Sequence, residues 1–215
     1  MKNHLSVCVA LMMLLCMMST SANAQLQLGV KAGINVATFR TTENNFFFFD
    51  EGSAIAGPTV GAFALIEGKD SPFALRLELL YSEKGGNTRS SFDNITLFSK
   101  INLHYLSLPV LFNLKKGPIH LEIGPEISYL LAARAKIQGG DQQNIADDLD
   151  SRSDISLALG MYYKFKKIQA GFRYLHGFSR IISIQGVDFN GFPIDSGFIK
   201  NKSVQFWIGF QFFEK

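Results

Sequence analysis

Residues 203–212 read Ser203-Val204-Gln205-Phe206-Trp207-Ile208-Gly209-Phe210-Gln211-Phe212. Val204, Phe206, Ile208, Phe210 and Phe212 alternate with Ser203, Gln205, Trp207, Gly209 and Gln211. A helix would scatter these two sets around its circumference, whereas a strand puts them on opposite faces. The same period recurs upstream. In 26–36, Leu26, Leu28, Val30, Ala32, Ile34 and Val36 oppose Gln27, Gly29, Lys31, Gly33 and Asn35. In 73–82, Phe73, Leu75, Leu77, Leu79 and Tyr81 oppose Arg76 and Glu78. In 119–131, Ile119, Leu121, Ile123, Ile127, Tyr129 and Leu131 oppose His120, Glu122, Gly124, Glu126 and Ser128. Segments 155–165 and 168–174 repeat it, with Lys164 and Arg173 on the polar faces. Weaker alternation runs over 57–67 and 101–114. There Pro58 suggests a strand start and Pro109 a bulge or edge-like irregularity. The expected strand number is eight.

The connections are as informative as the strands. Gaps at 68–71, 115–118 and 166–167 are short, and gaps at 39–53, 84–100, 135–153 and 177–201 are long and polar. Short and long alternate strictly. In an up-and-down meander that gathers the long loops at one end and the tight turns at the other. Strands of about 10–12 residues, tilted near 45°, cover roughly 25 Å of apolar thickness. Phe73, Phe112, Phe165 and Phe212 fall beside the tight turns, and Tyr81, Tyr105, Tyr129 and Tyr174 nearer the long loops, as two aromatic girdles would. The expected fold is an all-β, eight-stranded antiparallel up-and-down transmembrane β-barrel with short periplasmic turns and long extracellular loops. The rival is a soluble exported barrel with its apolar face inward. Periodicity cannot choose between them. Loop asymmetry, the girdles and the glycines of the polar face favour the membrane, where a spanning sheet must close to leave no unpaired edge.

Composition agrees. The chain has 215 residues, 47% hydrophobic and 18% charged, with a formal net charge of +3 and 20 Phe against 1 Trp. That excludes a disordered chain, and the scattered Lys and Arg offer no nucleic-acid footprint. Residues 1–24 read as a cleaved signal peptide, with Lys2 and His4, an apolar run from Leu5 to Met18, and an A-x-A ending at Ala24. Residues 25–215 are then the outer-membrane barrel domain. Cys8 and Cys16, the two cysteines of the chain, lie in the removed segment. The exported chain would hold its fold without disulfides.

Several stretches resemble a known family. They are Gly29-Val30-Lys31-Ala32-Gly33-Ile34-Asn35, Glu78-Leu79-Leu80-Tyr81-Ser82-Glu83-Lys84-Gly85, and Tyr105-Leu106-Ser107-Leu108-Pro109-Val110-Leu111. Leu121-Glu122-Ile123-Gly124-Pro125, Asp154-Ile155-Ser156-Leu157 and Arg173-Tyr174-Leu175-His176-Gly177 complete the set. In order and spacing they resemble the PorT-type small outer-membrane β-barrel proteins of Gram-negative bacteria. The resemblance implies an eight-stranded outer-membrane barrel. The family's namesake is linked to the type IX secretion machinery, which makes a type IX-like role an alternative here.

Candidate site residues follow from the faces. Lys31, Arg76, Glu78, His120, Glu122, Glu126, Lys164 and Arg173 would converge in a lumen filled by side chains, where charges must pair. Glu122 and Glu126 on one face would be placed to share a proton. Asp147, Asp148, Asp150 and Asp154 form an acidic loop without the spacing of a calcium loop. Phe46, Phe47, Phe48 and Phe49 put four rings into a polar loop, a candidate contact for a partner or ligand. His104, His120 and His176 lack metal-ligand spacing, and no nucleophile motif is present. The expected function is a non-enzymatic structural or interaction role through extracellular loops, with no catalytic residue, metal or cofactor. Its partners would be outer-membrane lipids and other envelope or secretion proteins. Membership of a secretion or envelope-assembly complex and lipid-modifying catalysis are the alternatives. A porin would need a wider barrel.

Overall fold

Alternating apolar and polar residues over long stretches make strands, and the described residues of the computed structural model form eleven. They are β1 (Ala24–Thr41), β2 (Phe49–Asp50), β3 (Ile55–Gly68), β4 (Phe73–Phe92), β5 (Ile95–Lys116) and β6 (Ile119–Ile137), then β7 (Gln142–Asn144), β8 (Ser153–Phe165), β9 (Ile168–Gly177), β10 (Ile182–Val187) and β11 (Pro193–Glu214). The structure describes residues 24–41, 49–50, 53–68, 71–92, 95–137, 141–147, 149–187 and 193–215. Eight long strands, β1, β3, β4, β5, β6, β8, β9 and β11, form an antiparallel meander in chain order. β11 then pairs back with β1, from Gln27↔Glu214 to Thr41↔Ile199, and closes the ring. Closure leaves no open edge in the wall, as a sheet in lipid requires. Residues 1–23 of the expected signal segment and residues 46–48 lie outside the described residues.

Side-chain burial settles the orientation of the two faces. On β11, Gln205 is 0% exposed and its neighbour Phe206 is 50% exposed. Gln27, Lys31, Asn35, Arg76, Glu78, Gln169 and Arg173 are buried inside, and Leu79, Leu121, Leu159, Phe172 and Phe206 stand outside. This is a membrane barrel, not the soluble barrel with an apolar interior.

The strands outrun the expected 10–12 residues. They range from 10 residues in β9 to 22 in β5 and β11, and the excess lies at the loop end. The gap expected over 84–100 is largely ladder: β4 and β5 stay paired from Lys84↔Leu103 to Phe92↔Ile95. Beyond the apolar belt a strand need not carry an apolar outer face. Polar residues then extend the ladder without the alternation that marks a half-buried strand. The other loops also fold back on the wall: β2 pairs with β4, β7 with β6 and β10 with β11.

The two prolines act differently from each other. Pro58 lies one residue before the β3–β4 pairing begins at Thr59↔Ser82, although β3 already pairs with β1 there. Around Pro109 the ladders break between Leu77↔Val110 and Leu80↔Ser107, and between Pro109↔Glu126 and Phe112↔Ile123, with no change of register. A missing N–H interrupts bonds without inserting a residue. The register shift in β5 falls instead at His104/Tyr105.

At the tight-turn end, Phe165↔Ile168 brackets the two-residue turn Lys166-Lys167. Lys166 sits at φ 53°, the left-handed region, which costs a residue with a Cβ about 1 kcal/mol. Lys166→Gly is therefore expected to raise stability by up to about 1 kcal/mol, read from urea unfolding in micelles. An unchanged or lowered midpoint would show that the turn is not strained.

Candidate functional site

The candidate site is the interior, built from the inward residues of all eight wall strands. Glu78 on β4 is its centre. Its carboxylate receives Lys31 Nζ at 3.1 Å, Arg76 Nε at 2.5 Å and Arg173 Nη1 at 2.7 Å. Arg173 Nε also reaches Glu122 Oε1 at 2.7 Å. Arg76 Nη1 donates to Gln169 Oε1 at 2.6 Å. All five ionic groups have fully buried side chains, so each charge is held by its partners rather than by water.

Aromatic rings wall this cluster. The Arg76 guanidinium lies 4.0 Å from the Phe63 ring centre, 4.7 Å from Trp207 and 5.0 Å from Tyr162. Lys31 Nζ lies 4.2 Å from the Trp207 ring. Such contacts favour cations most where water is excluded. Glycine makes room for the rings: a Cβ on Gly33 would stand 2.9 Å from Trp207 Cβ, and one on Gly29 would meet Phe63 Cζ at 2.3 Å.

Of the eight charged residues expected inside, five form this cluster: Lys31, Arg76, Glu78, Glu122 and Arg173. Glu126 is apart from them, and Lys84 Nζ donates to its Oε1 at 2.7 Å. A proton shared by Glu122 and Glu126 is thus ruled out by position, since residues four apart on a strand are separated by about 13 Å. His120 and Lys164 lie nearer the tight turns. His120 Nδ1 and the Tyr162 hydroxyl are 3.0 Å apart, and their rings stack at 4.5 Å. Lys164 Nζ donates to Gln27 Oε1 at 2.8 Å and lies 3.6 Å from Glu67, which also pairs with Lys115 at 3.1 Å. Glu67, Lys115, His120 and Lys164, with Ser71, line an open cavity of about 460 Å³ at this mouth.

The loop end is closed differently. Phe39, Ile101, Leu103, Tyr105, Leu130, Ala133, Ile181 and Ile199 form a buried apolar cluster. Ile145, Ala146 and Leu149 from the third long loop pack against it. The Ile145 N–H bonds the Ala133 carbonyl at 3.0 Å and ties that loop to the wall.

Several expectations need correction. Tyr105 is no girdle residue; it is 2% exposed inside the barrel, where its hydroxyl accepts from Asn201 Nδ2 at 3.3 Å. Its parity on β5 is opposite to that of Phe112, so the two cannot share a face within one regular strand. The acidic loop is dispersed. Asp147 pairs with Arg152 at the surface at 2.5 Å, and Asp154 is buried inside with Asn201 at 2.9 Å. Asp148 lies outside the described residues. Of the four phenylalanines, Phe46, Phe47 and Phe48 lie outside them too, and for Phe49 only its backbone pairing with Ser90 is described. Lys84, Glu67, Lys115 and Gln169 were missed. Lys84 had a signal, being six residues from Glu78 with the same parity, but the strand was ended at Ser82. Among the described residues no group of three or more His, Cys, Asp or Glu is placed to hold a metal ion.

The family comparison comes to the same architecture. A family model described as an outer membrane protein beta-barrel domain matches residues 19–183. No functionally curated protein matches. Among solved structures, neisserial surface protein A (NspA) is similar at 13% identity and a TM-score of 0.47, over 86% of this chain and 97% of that one. OprG of Pseudomonas aeruginosa is similar at 10% identity and a TM-score of 0.42, over 89% of this chain and 96% of that one.

Proposed function

The chain belongs to the family of outer membrane β-barrel domains, and from that premise we propose that it is a non-enzymatic, non-conducting barrel acting through its extracellular loop end. The observation that carries this reading is the filled bore. A five-member ionic cluster and its aromatic wall occupy the middle, and an apolar cap with a loop packed on it occupies the loop end. Eight strands leave an interior just wide enough for side chains. The interior therefore serves rigidity, and what remains for function is the surface the ring holds up. A non-enzymatic role is supported by the histidines: His104, His120 and His176 each bond a tyrosine hydroxyl rather than a serine.

Export through residues 1–24 and PorT-type kinship belong to the same proposal, and a place in a secretion or envelope-assembly complex is its alternative. They rest on the sequence motifs quoted above. Planar-bilayer recording tests the non-conducting part. Folded protein inserted at high density is expected to give no discrete conductance steps. Reproducible steps from the wild-type chain would overturn the reading and point to a pore. The complex is tested by cross-linking in intact outer membranes from Gln143 in the third loop, with Lys166 in a tight turn as control. One defined envelope protein captured from Gln143 alone is expected; capture of nothing, or equal capture from both, counts against it.

A further inference from the structure

The outer wall of β1, β11 and β9 is layered. Reading the paired outward residues from the tight turns upward, the rows are Val30–Phe210–Ile168, Ala32–Ile208–Ala170, Ile34–Phe206–Phe172 and Val36–Val204–Tyr174. The next row is Thr38–Lys202–His176, and above it Arg40 faces Lys200. Four apolar rows thus give way at once to a basic patch, one row being about 7 Å high. Arg40 and Lys202 are exposed, and Lys200 and His176 half-buried. His176 lies within electrostatic reach of Arg40, Lys200 and Lys202. Lys200 Nζ also stands 4.9 Å from the Phe198 ring, which carries the Arg180 guanidinium on it at 4.2 Å.

Like charges directly opposite on neighbouring strands destabilise a sheet, yet Arg40 and Lys200 are direct partners. The wall at β4, β5 and β6 is arranged otherwise. On β4 and β5 the row above Tyr81↔Leu106 is Glu83↔His104, which puts a carboxylate at that level. There the cations Lys100 and Lys136 face each other only higher up. A repulsive group of cations directly above an apolar belt gains its counter-charge from an anion at head-group depth. We propose that Arg40, Lys200 and Lys202 form a binding site for a phosphate-bearing lipid of the outer leaflet. Its acyl chains lie along Val36, Val204, Phe206 and Phe172, and its phosphate lies among the three cations. The site needs neither the lumen nor a protein partner, so it stands independently of the loop-contact reading, and rests only on the loop end facing outward.

The test is native mass spectrometry of the folded protein released from micelles, titrated with bisphosphorylated lipid A and with the same lipid stripped of phosphate. Wild-type protein is expected to retain the phosphorylated lipid at least about tenfold better than the stripped one. The triple variant R40Q/K200Q/K202Q is expected to lose at least about tenfold in that affinity, while K100Q/K136Q keeps it. Folding of each variant is checked by the mobility of the unboiled protein in gels. If the triple variant does not fold, K202Q alone is read, with an expected loss of about threefold. Wild-type affinity in the variant that is read, an equal loss in K100Q/K136Q, or full displacement of the lipid by millimolar inorganic phosphate would overturn the proposal.

Discussion

Glu78→Ala is expected to destabilise the folded barrel by about 3–5 kcal/mol, the usual cost of removing one partner from a buried charge group. Glu78 is the carboxylate that Lys31, Arg76 and Arg173 all reach, at 3.1, 2.5 and 2.7 Å. Without it, three buried cations face Glu122 alone, and Glu122 bonds directly only to Arg173. Water cannot take over from the carboxylate, because these side chains are fully buried. Glu122→Ala is expected to cost less, since Arg173 keeps its two bonds to Glu78 at 2.7 and 3.0 Å. Trp207, the single tryptophan of the chain, provides the probe, because Lys31 Nζ sits 4.2 Å from its ring. Urea unfolding in micelles followed by its fluorescence would give both values. A Glu78→Ala midpoint equal to wild type, or a larger loss from Glu122→Ala, would mean that the cluster does not hold the barrel together.

Ile208→Lys should cost about 2–4 kcal/mol in a bilayer, the penalty for a cation on the lipid face at mid-depth. Ile208 is the central one of the five apolar outward residues Val204, Phe206, Ile208, Phe210 and Phe212, and it is 64% exposed. Phe212→Lys, at the tight-turn rim, should cost no more than about 1 kcal/mol, because a lysine there reaches the interface. The depth dependence is what distinguishes lipid from any other apolar surrounding. Unfolding both variants from phospholipid vesicles measures it. Equal costs at the two positions, or no cost at Ile208, would mean that this face does not lie in a bilayer.

How much was legible in the sequence can be judged residue by residue. Lys31, Arg76, Glu78, Glu122 and Arg173 were assigned to the polar face by parity alone, and all are buried inside. Parity survives because a strand admits only two directions for a side chain. Lys84 was lost because the alternation is followed only to Ser82 and 84–100 reads as a long polar gap, whereas β4 continues to Phe92. Tyr105 was assigned to the girdle by its residue type against its parity, and the structure follows parity. Phe63, against which Arg76 lies, sat in a stretch whose alternation was too weak to assign a face. The apolar cap was not anticipated: Ile145, Ala146, Leu149 and Ile181 are spread through loops whose composition is polar, and they meet Leu103 and Leu130 only in space.

The sequence by itself determined the all-β class, the eight wall strands, the tight-turn ends of those strands and the composition of each face. These depend on local periodicity and on turn residues, which act over a few positions. Loop asymmetry and the aromatic girdles also pointed to a polar interior, whereas tertiary structure alone decided how far the strands run past the membrane and which cation meets which carboxylate. The curled sheet brings Lys31 of β1 across β3 to Glu78 of β4, and Arg173 of β9 across the bore to the same carboxylate, 47 and 95 residues away along the chain. Partners that distant are set by the register of every ladder between them, and no single segment of the chain records that sum.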